Sequence, residues 1–306
     1  MKGRVLKSTG SFYQVQLDSG VVECRIKGKF RMKGLVTTNP VAVGDWVEVE
    51  LEAEAEGRGM IVDIAPRTNY LIRRSTNLSK QAHVVAANID LACLVVTLAA
   101  PPTSFGFIDR FLVTAEAFDI PVLLVFNKVD LLVDFPEALD EAVQLYESVG
   151  YQTIRTSIDV PDSIAALRAR VAGKVCLFSG HSGVGKSSLV KAMYPHFDIR
   201  VGDISMAHMK GQHTTTFAEM HQLPDGGYMV DTPGIKGFGI IDIEKTELGL
   251  YFPEMKELLD QCKFYNCKHL NEPGCAVKAA VDEGLIPPTR YASYQAIMQD
   301  DEGPYR

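Results

Sequence analysis

Long hydrophobic runs and any excess of positive charge are absent from this sequence of 306 residues. Its longest apolar stretch, residues 91–100, reaches about half of a membrane span, and residues 1–5 do not resemble the start of a secretory signal. The formal net charge is −7, from 31 basic and 38 acidic residues, which excludes a histone-like partner of nucleic acid but leaves room for a local basic face. We therefore expect a cytoplasmic protein without membrane attachment.

Cysteine is also scarce, because the chain has only six. Cys24, Cys93 and Cys176 each lie alone in a strand-like run, where a free cysteine is usually a small buried hydrophobic residue. The remaining three form an odd cluster, which argues against a disulfide framework and for a reducing compartment.

The clustered cysteines include a histidine among them. The spacing Cys262-x4-Cys267-x-His269-x5-Cys275 supplies three thiolates and one imidazole. This closed set suits a tetrahedral Zn²⁺ ion and leaves no position open for water. We expect one structural zinc per chain, holding together a helical domain of residues 246–306; the alternative is three reduced cysteines beside a chance histidine.

Residues 1–67 predict a domain made of β-strands. Apolar and polar residues alternate over 13–17 and 22–26, and the turn at 18–20 joins the two runs into a hairpin. A further alternating run covers residues 46–51. Several short strands in so short a segment predict a small barrel of a kind that often binds nucleic acid.

Charge is unevenly distributed in and just after this barrel. Residues 1–34 hold eight basic and two acidic side chains, residues 45–63 hold seven acidic and one basic, and residues 67–80 hold four basic and no acidic ones. A basic strip opposite an acidic edge could be the footprint of RNA phosphates. The alternative is an ordinary solvated barrel surface.

Residues 68–245 predict a parallel α/β domain. Short continuous apolar runs at 89–98, 122–126 and 175–178 are typical of strands buried on both faces. Between the first two runs, residues 107–118 carry apolar side chains at helical spacing. Strands that alternate with helices in this way form a parallel sheet.

One string in this domain predicts a phosphate-binding loop. It follows the strand at 175–178, precedes a predicted helix and fits G-x-x-x-x-G-K-[ST]. Glycines there let backbone N–H groups cradle phosphates, and the helix N-terminus adds its dipole. We expect Lys186 to reach the β- and γ-phosphates and Ser187 to ligate Mg²⁺. The complete string is Gly180, His181, Ser182, Gly183, Val184, Gly185, Lys186 and Ser187.

A second string predicts the choice of base. Asn127-Lys128-Val129-Asp130 follows the strand at 122–126. An ionised aspartate accepts two hydrogen bonds, which matches the N1–H and 2-amino donors of guanine, whereas adenine offers no such pair. Asp130 therefore favours GTP over ATP. Ser157 follows the next predicted strand and is placed for a loop that also contacts the base.

The order of the motifs predicts a circular permutation. A GTPase of the ordinary arrangement runs phosphate loop, D-x-x-G, then N-K-x-D. Asp231-Thr232-Pro233-Gly234 follows the phosphate loop here, but N-K-x-D precedes that loop by 53 residues and does not recur after Asp231. A segment that senses the γ-phosphate would therefore lead directly into the last domain.

Residues 211–216, between the phosphate loop and D-x-x-G, are expected to form the first switch. Any of its three threonines could bind Mg²⁺ and the γ-phosphate; Thr215 is our candidate. Ile235 stands where Ras-like enzymes place the glutamine that orients the attacking water, so intrinsic hydrolysis should be slow. His213 is a candidate for that task, although a lone histidine in a switch is more often a surface residue.

Together these motifs resemble the bacterial family of ribosome small-subunit-dependent GTPase A, a circularly permuted GTPase. The resemblance covers nearly the whole chain: an OB-like barrel over 1–67, a GTPase domain over 68–245 and a zinc domain over 246–306. It implies binding of GTP and GDP, hydrolysis stimulated by the small ribosomal subunit late in subunit maturation, and rRNA contacts through barrel and zinc domain. It also implies a water-orienting role for His213, and we expect a monomer. Gln212 and Ile158 depart from the family pattern.

Two other functions remain compatible with the sequence. One is a nucleotide-gated RNA-binding scaffold whose hydrolysis is incidental, a reading that Ile235 favours. The other is an ATP-using enzyme with a phosphate loop, which Asp130 disfavours.

Overall fold

The architecture is seen in a computed structural model that describes residues 1–27, 40–52, 57–74, 82–197, 218–231 and 243–299. Among the helices of these ranges, none is both long and apolar enough to cross a membrane.

Five strands at the N-terminus close into a barrel, as the alternating pattern predicted. β1 pairs with β2 on one side and β4 on the other, and β3 pairs in parallel with β5, so the ring closes in the order β1-β2-β3-β5-β4. Inward side chains such as Tyr13, Val15 and Cys24 are buried, whereas the residues between them face solvent. The strands are β1 (Lys2–Ser8), β2 (Tyr13–Leu17), β3 (Gly20–Ile26), β4 (Trp46–Leu51) and β5 (Arg58–Ile64).

A two-stranded hairpin, absent from the sequence-based prediction, follows the barrel. β6 (Tyr70–Arg74) pairs antiparallel with β7 (Ala82–Ala87). The sequence indicated only a basic stretch there, because arginines do not show strand periodicity. Leu71 and Ala86 are buried and pack into the core of the following domain.

The second domain is the predicted α/β sheet. Its strands run in the order β10-β9-β8-β11-β13-β12, and all neighbours are parallel except the last pair. β8 and β9 are buried along their whole length, because helices cover both faces of the sheet. The elements are β8 (Leu91–Val96), α1 (Phe105–Ala117), β9 (Val122–Asn127), α2 (Pro136–Ser148), β10 (Gln152–Thr156), α3 (Pro161–Val171), β11 (Val175–Ser179), α4 (Lys186–Met193), β12 (Glu219–Gln222) and β13 (Tyr228–Asp231).

Barrel and α/β sheet are continuous with each other. β1 pairs antiparallel with β12, so that one sheet of eleven strands runs through both. The Lys7 ammonium binds the Glu219 carboxylate at 2.7 Å beside this pairing. The strands therefore meet edge to edge rather than through a free linker.

Several basic residues that the sequence suggested for an RNA footprint instead bind within the chain. Arg67 forms two 2.7 Å hydrogen bonds to the buried carboxylate of Asp45, and its own side chain is 4% exposed. Arg4 donates to the carbonyl oxygen of Asn88 and lies over the ring of Trp46. Arg67 therefore stabilises the barrel region internally, and Arg4 joins the barrel to the α/β domain. Lys29, Arg31 and Lys33 lie outside the described residues.

The C-terminal region is a separate helical cluster around the cysteines. It comprises 3-10 helices Lys245–Tyr251 and Leu259–Gln261 with α5 (Pro253–Lys256), α6 (Ala276–Asp282) and α7 (Pro288–Gln299). Tyr294 and Ile297 are buried and Tyr291 is half-buried in its core, as their helical spacing predicted.

α7 is fixed to α1 by a buried ionic network. The Arg290 guanidinium, with no exposed surface, donates to Asp109 of α1 at 2.7 Å and to both carboxylate oxygens of Glu254. Tyr146 of α2 donates to the same Asp109 oxygen. Removing one partner of such a pair costs roughly 3–5 kcal/mol because the other charge stays buried. The network therefore ties the C-terminal cluster firmly to the α/β domain.

Candidate functional site

The predicted nucleotide motifs meet at one edge of the α/β sheet. Parallel strands end at the same edge, and each of β9, β10, β11 and β13 is followed or ended there by a predicted site residue. N-K-x-D and the phosphate loop begin 53 residues apart in the chain, yet they lie in direct contact, as the hydrogen bonds described below show.

The phosphate loop requires glycine at two positions for steric reasons. Gly180 has φ of +138°, and a Cβ there would lie 2.2 Å from the carbonyl oxygen of Val95. Gly185 has φ of +96°, and a Cβ there would lie 2.4 Å from Nδ2 of Asn127. α4 starts at the next residue, so its N–H groups without intrahelical partners are directed at the loop. The loop is therefore shaped for an anion.

Lys186 lies across the mouth of this loop. Its Nζ donates to the carbonyl oxygens of Gly180 and His181, both at 2.7 Å. Burial lowers the pKa of this ammonium group. The negative charge of a phosphate bound in the loop would stabilise the charged ammonium form that burial disfavours, which fits a phosphate-binding role.

His181 joins the loop to α1. Its ring packs on Phe107, with 3.8 Å between ring centroids. Burial, followed by the neighbouring Lys186 charge, lowers the pKa of His181, so the imidazole is neutral at pH 7. The sequence assigned Phe107 only to the buried face of a helix, because nothing local marks a contact across about 70 residues.

N-K-V-D packs directly against the phosphate loop. Asn127, which is buried, donates from Nδ2 to the carbonyl oxygen of Val184 at 2.8 Å and accepts from Thr156 Oγ1 at 3.0 Å. Lys128, with φ of +59°, donates from Nζ to the carbonyl oxygens of Gly183 and Ala100 at 2.7 Å. These bonds fix the position of the base loop relative to the phosphate loop.

The acidic residue of this motif faces solvent, so its carboxylate is accessible to a ligand. Asp130 is exposed in the 3-10 turn Val129–Leu132, and Val129 is partly buried.

Ala100, in the loop after β8, could not be predicted from the sequence as a partner of Lys128, because it takes part through its carbonyl oxygen alone. A backbone acceptor places no constraint on residue type.

Ser157 directly follows Thr156, which pairs with Asn127, but Ser157 is not accessible from solvent. It is fully buried, and its backbone N–H donates to Ser163 Oγ at 3.1 Å. Ser163 Oγ in turn donates to the carbonyl oxygens of Ser157 and Val160. A base contact through the Ser157 N–H would have to displace Ser163. Ile158, which follows, is exposed.

The switch residues divide between two regions of the chain. Asp231 ends β13, next to the strand that leads into the phosphate loop, and Ser187 is the second residue of α4. The other switch candidates lie outside the described residues: His213, Thr214, Thr215, Thr216, Gly234 and Ile235.

The four predicted metal ligands come together in the C-terminal cluster. The ligand atoms of Cys262, Cys267, His269 and Cys275 all lie within 4.8 Å of one another. His269 Nδ1 is 3.5 Å from the sulfur of Cys262 and 3.4 Å from that of Cys275, so Nδ1 is the ring nitrogen that faces the cluster. The residues could therefore hold one metal ion.

The surroundings of the cluster favour a cation. Burial and the neighbouring sulfur atoms of Cys275 and Cys262 raise the pKa of the Cys267 thiol to about 12, since each thiolate would oppose the others. Burial lowers the pKa of His269, so its imidazole is neutral and able to bind metal. A divalent cation would stabilise the thiolates that the protein alone disfavours.

Hydrogen bonds from α7 and the loop hold the ligands in place. Tyr291 donates its hydroxyl to the carbonyl oxygen of His269 at 2.6 Å, and Tyr294 to that of Lys268 at 2.8 Å. The Glu272 carboxylate accepts three backbone N–H groups of the loop. Such support is typical of a metal site. From the sequence, these tyrosines were predicted only as residues of the hydrophobic core.

Replacing Gly185 by alanine should weaken nucleotide binding strongly while leaving the fold. The added methyl group would collide with Asn127 and demands a positive φ that alanine disfavours by about 1 kcal/mol or more. We expect at least a tenfold weaker affinity for a fluorescent guanine nucleotide. Gly106→Ala, on α1 with open space around the new Cβ, is the control and should bind as the wild type does. Equal affinities of the two variants would contradict the account of the loop.

Comparison with known proteins places this site in a family. A family model described as the RsgA GTPase matches residues 64–241, and one described as the RsgA N-terminal domain matches residues 2–61. Proteins called "Small ribosomal subunit biogenesis GTPase RsgA" are similar along the full chain. That of Bacteroides fragilis is 52% identical, covering 100% of this chain and 99% of its own, and that of Flavobacterium johnsoniae is 51% identical, covering 100% and 95%.

Solved structures show the same architecture. The crystal structure of YjeQ from Thermotoga maritima has a TM-score of 0.80 at 35% identity, with 97% of this chain and 96% of that chain covered. The structure of YloQ, titled a circularly permuted GTPase, has a TM-score of 0.76 at 32% identity, with 100% and 96% covered. With the permuted motifs, the closed barrel and the Cys₃His cluster in place, the chain belongs to the RsgA GTPase family.

Proposed function

We propose that this chain hydrolyses GTP in a Mg²⁺-dependent reaction stimulated by the small ribosomal subunit, and that hydrolysis is coupled to late maturation of that subunit and to release of the protein. The observation that carries this proposal is the direct bonding of N-K-V-D to the phosphate loop through Lys128 and Asn127. This bonding brings the loop that we propose selects guanine and the loop that we propose binds phosphate into one site. Relatives along the full chain are called small ribosomal subunit biogenesis GTPases.

In this proposal the described loops bind GTP or GDP. Residues 180–187 hold the phosphates, with Lys186 reaching the β- and γ-phosphates in place of its present carbonyl partners. Asp130 accepts from the guanine N1–H and 2-amino groups, the Lys128 stem lies along the base, and Ser157 lines the base edge. Asn127 positions both loops.

Mg²⁺ would bind beside the phosphates. Ser187 at the start of α4 and Asp231 at the end of β13 belong to adjacent strand–loop units, and oxygen ligands of this kind are what Mg²⁺ prefers. Thr215 is our candidate for a further hydroxyl ligand. The ion would neutralise charge that develops on the phosphate oxygens.

Hydrolysis requires a water molecule to be oriented for attack on the γ-phosphorus, yielding GDP and phosphate. Ile235 has no group that could do this. We assign the task to His213, with Lys186 and Thr215 stabilising the charge of the transition state. Gly234 would sense the γ-phosphate through its backbone. A partner that orders these residues would accelerate the reaction.

The metal of the C-terminal cluster is proposed to be one structural Zn²⁺ per chain. Cys262, Cys267, His269 and Cys275 form a complete Cys₃His set whose ligand atoms lie within 4.8 Å of one another, and such sets bind Zn²⁺ tetrahedrally. Because all four positions are protein ligands, the ion would supply stability and no chemistry.

The barrel and the zinc domain are proposed to contact rRNA. On the barrel, Arg25 lies exposed over the ring of Phe12, a combination suited to phosphate contact and base stacking. In the zinc loop Tyr265 is fully exposed, and Lys263 lies over the ring of Phe264. We retain domain limits of 1–67, 68–245 and 246–306 and propose a cytoplasmic monomer.

A second candidate function is a nucleotide-gated RNA-binding scaffold with incidental hydrolysis. Ile235 in place of a water-orienting glutamine is the observation in its favour. It shares nucleotide-dependent binding with the leading proposal but predicts no stimulation of turnover.

Sedimentation with purified small ribosomal subunits tests the binding that both functions require. We expect the full chain to bind at least tenfold more tightly with a non-hydrolysable GTP analogue than with GDP. Large ribosomal subunits serve as the control and should not retain the protein. Binding that is absent, or indifferent to nucleotide and subunit, would contradict the proposal.

A further inference from the structure

Large apolar side chains are exposed in two short loops beside the nucleotide site. Leu131, Val133 and Phe135 follow N-K-V-D, with 49%, 76% and 67% exposure. Ile158 and Val160 follow Ser157, with 55% and 45%. We call these five residues the loop-pair patch. Grouped exposed apolar residues of this size are typical of interaction surfaces.

The two loops leave the sheet side by side. β9 and β10 are parallel neighbours, and Asn127 at the end of β9 pairs with Thr156 at the end of β10. Each loop therefore starts at the same edge, next to the other. The patch therefore lies at the ends of two adjacent strands, and Val133 and Phe135 are its most exposed members.

The exposed charges along the two loops are acidic. Residues 129–154 contain six acidic and no basic side chains. Asp134 and Glu137 are exposed beside the first loop, and Asp159 and Asp162 beside the second. This rim would repel phosphate groups.

The basic residues that precede the two loops in sequence, Lys128 and Arg155, both have partners. Lys128 donates to two backbone carbonyl oxygens of the phosphate site. Arg155 of β10 forms an ion pair with Asp140 at 2.8 Å. The acids of the rim therefore determine the local potential.

We propose that the loop-pair patch docks a basic protein segment, an extended polypeptide in which lysine or arginine residues alternate with apolar ones. Its apolar side chains would cover Val133 and Phe135, and its cations would meet the acidic rim. The inference rests on the proposed function, because the small ribosomal subunit would present this segment as part of one of its proteins.

The apolar part is tested by Val133→Ser combined with Phe135→Ser in the full chain. Both side chains are exposed, so folding and nucleotide affinity should be unchanged. We expect affinity for purified small subunits, with the GTP analogue bound, to fall roughly tenfold to a hundredfold. Leu285→Ser, which removes a 71% exposed side chain outside the patch, is the matched control and should bind as before.

Charge reversal separates a protein partner from RNA by the sign of the change. Asp134→Lys with Glu137→Lys should weaken subunit binding at least tenfold if the partner is basic. Tighter or unchanged binding would overturn the proposal, because a patch facing RNA would gain from added cations.

Photo-crosslinking identifies the occupant. With p-benzoylphenylalanine in place of Phe135, crosslinks to a ribosomal-protein segment rich in lysine and arginine support the proposal. Crosslinks to rRNA, or none in a complex that does form, overturn it. If the wild-type chain fails to bind subunits at all, the proposed function fails instead, so the two failures are distinguishable.

Discussion

Asp130→Asn should exchange the base preference of the site from guanine to xanthine. The exposed carboxylate stands at the start of the turn after β9, held by Lys128 and Asn127 against the phosphate loop. Asparagine offers one acceptor and one donor where aspartate offers two acceptors. Loss of a charge-assisted bond and creation of an unpaired donor should cost about 3–5 kcal/mol for GTP, a factor of roughly 100 or more.

Xanthine repairs this mismatch, since its 2-carbonyl group accepts the amide N–H. Nucleotide affinities measured with GDP and xanthosine diphosphate should therefore cross over in the variant. Asp134→Asn changes an exposed carboxylate four positions on and should leave GDP affinity unaltered. A variant at position 130 that retains the guanine preference of the wild type would refute the assignment of the base loop.

Loss of the metal should unfold the C-terminal cluster. Cys275 is itself part of the buried core around Phe252 and Tyr294, and a structural zinc site contributes on the order of 10 kcal/mol. We expect purified protein to contain one zinc per chain, and Cys275→Ser to lose it together with helical signal and subunit binding.

Zinc loss should affect the C-terminal cluster much more than it affects nucleotide binding. The described contacts among residues 97–187 that shape the phosphate site involve no side chain of the zinc cluster, so nucleotide affinity should change only a few-fold. Cys176→Ala, which removes a buried thiol from β11, should keep its zinc. Metal content far below one per chain, or a thermal unfolding curve that a zinc chelator does not alter, would show that the cluster is not a structural zinc site.

Local sequence patterns predicted the elements and the motifs but not how the domains join. The phosphate loop and the hairpin of the barrel are recognisable because their chemistry resides in neighbouring residues. The pairing of β1 with β12 and the ion pair between Arg67 and Asp45 depend on residues brought together by the fold. Arg67 therefore looked like part of an RNA surface when it is buried.

The candidate site shows the same division. Asn127, Lys128 and Asp130 could be assigned from their order in the chain, whereas Ala100 acts through its carbonyl oxygen and Ser163 through a hydroxyl in the first turn of α3. Contacts made by backbone atoms leave no mark on residue identity. The four residues of the Cys₃His cluster could be predicted to come together, because sulfur and imidazole have few other reasons to lie close in sequence.

Steady-state release of phosphate from GTP, with Mg²⁺ and bound zinc, tests the central claim most directly when measured with and without purified small ribosomal subunits. We predict slow turnover by the chain alone and at least a hundredfold stimulation by the subunit, most of which His213→Ala should remove at unchanged nucleotide affinity. If turnover stays slow and unchanged although sedimentation shows that the complex forms, the proposed subunit-stimulated GTPase is contradicted. The protein would then be a nucleotide-gated scaffold.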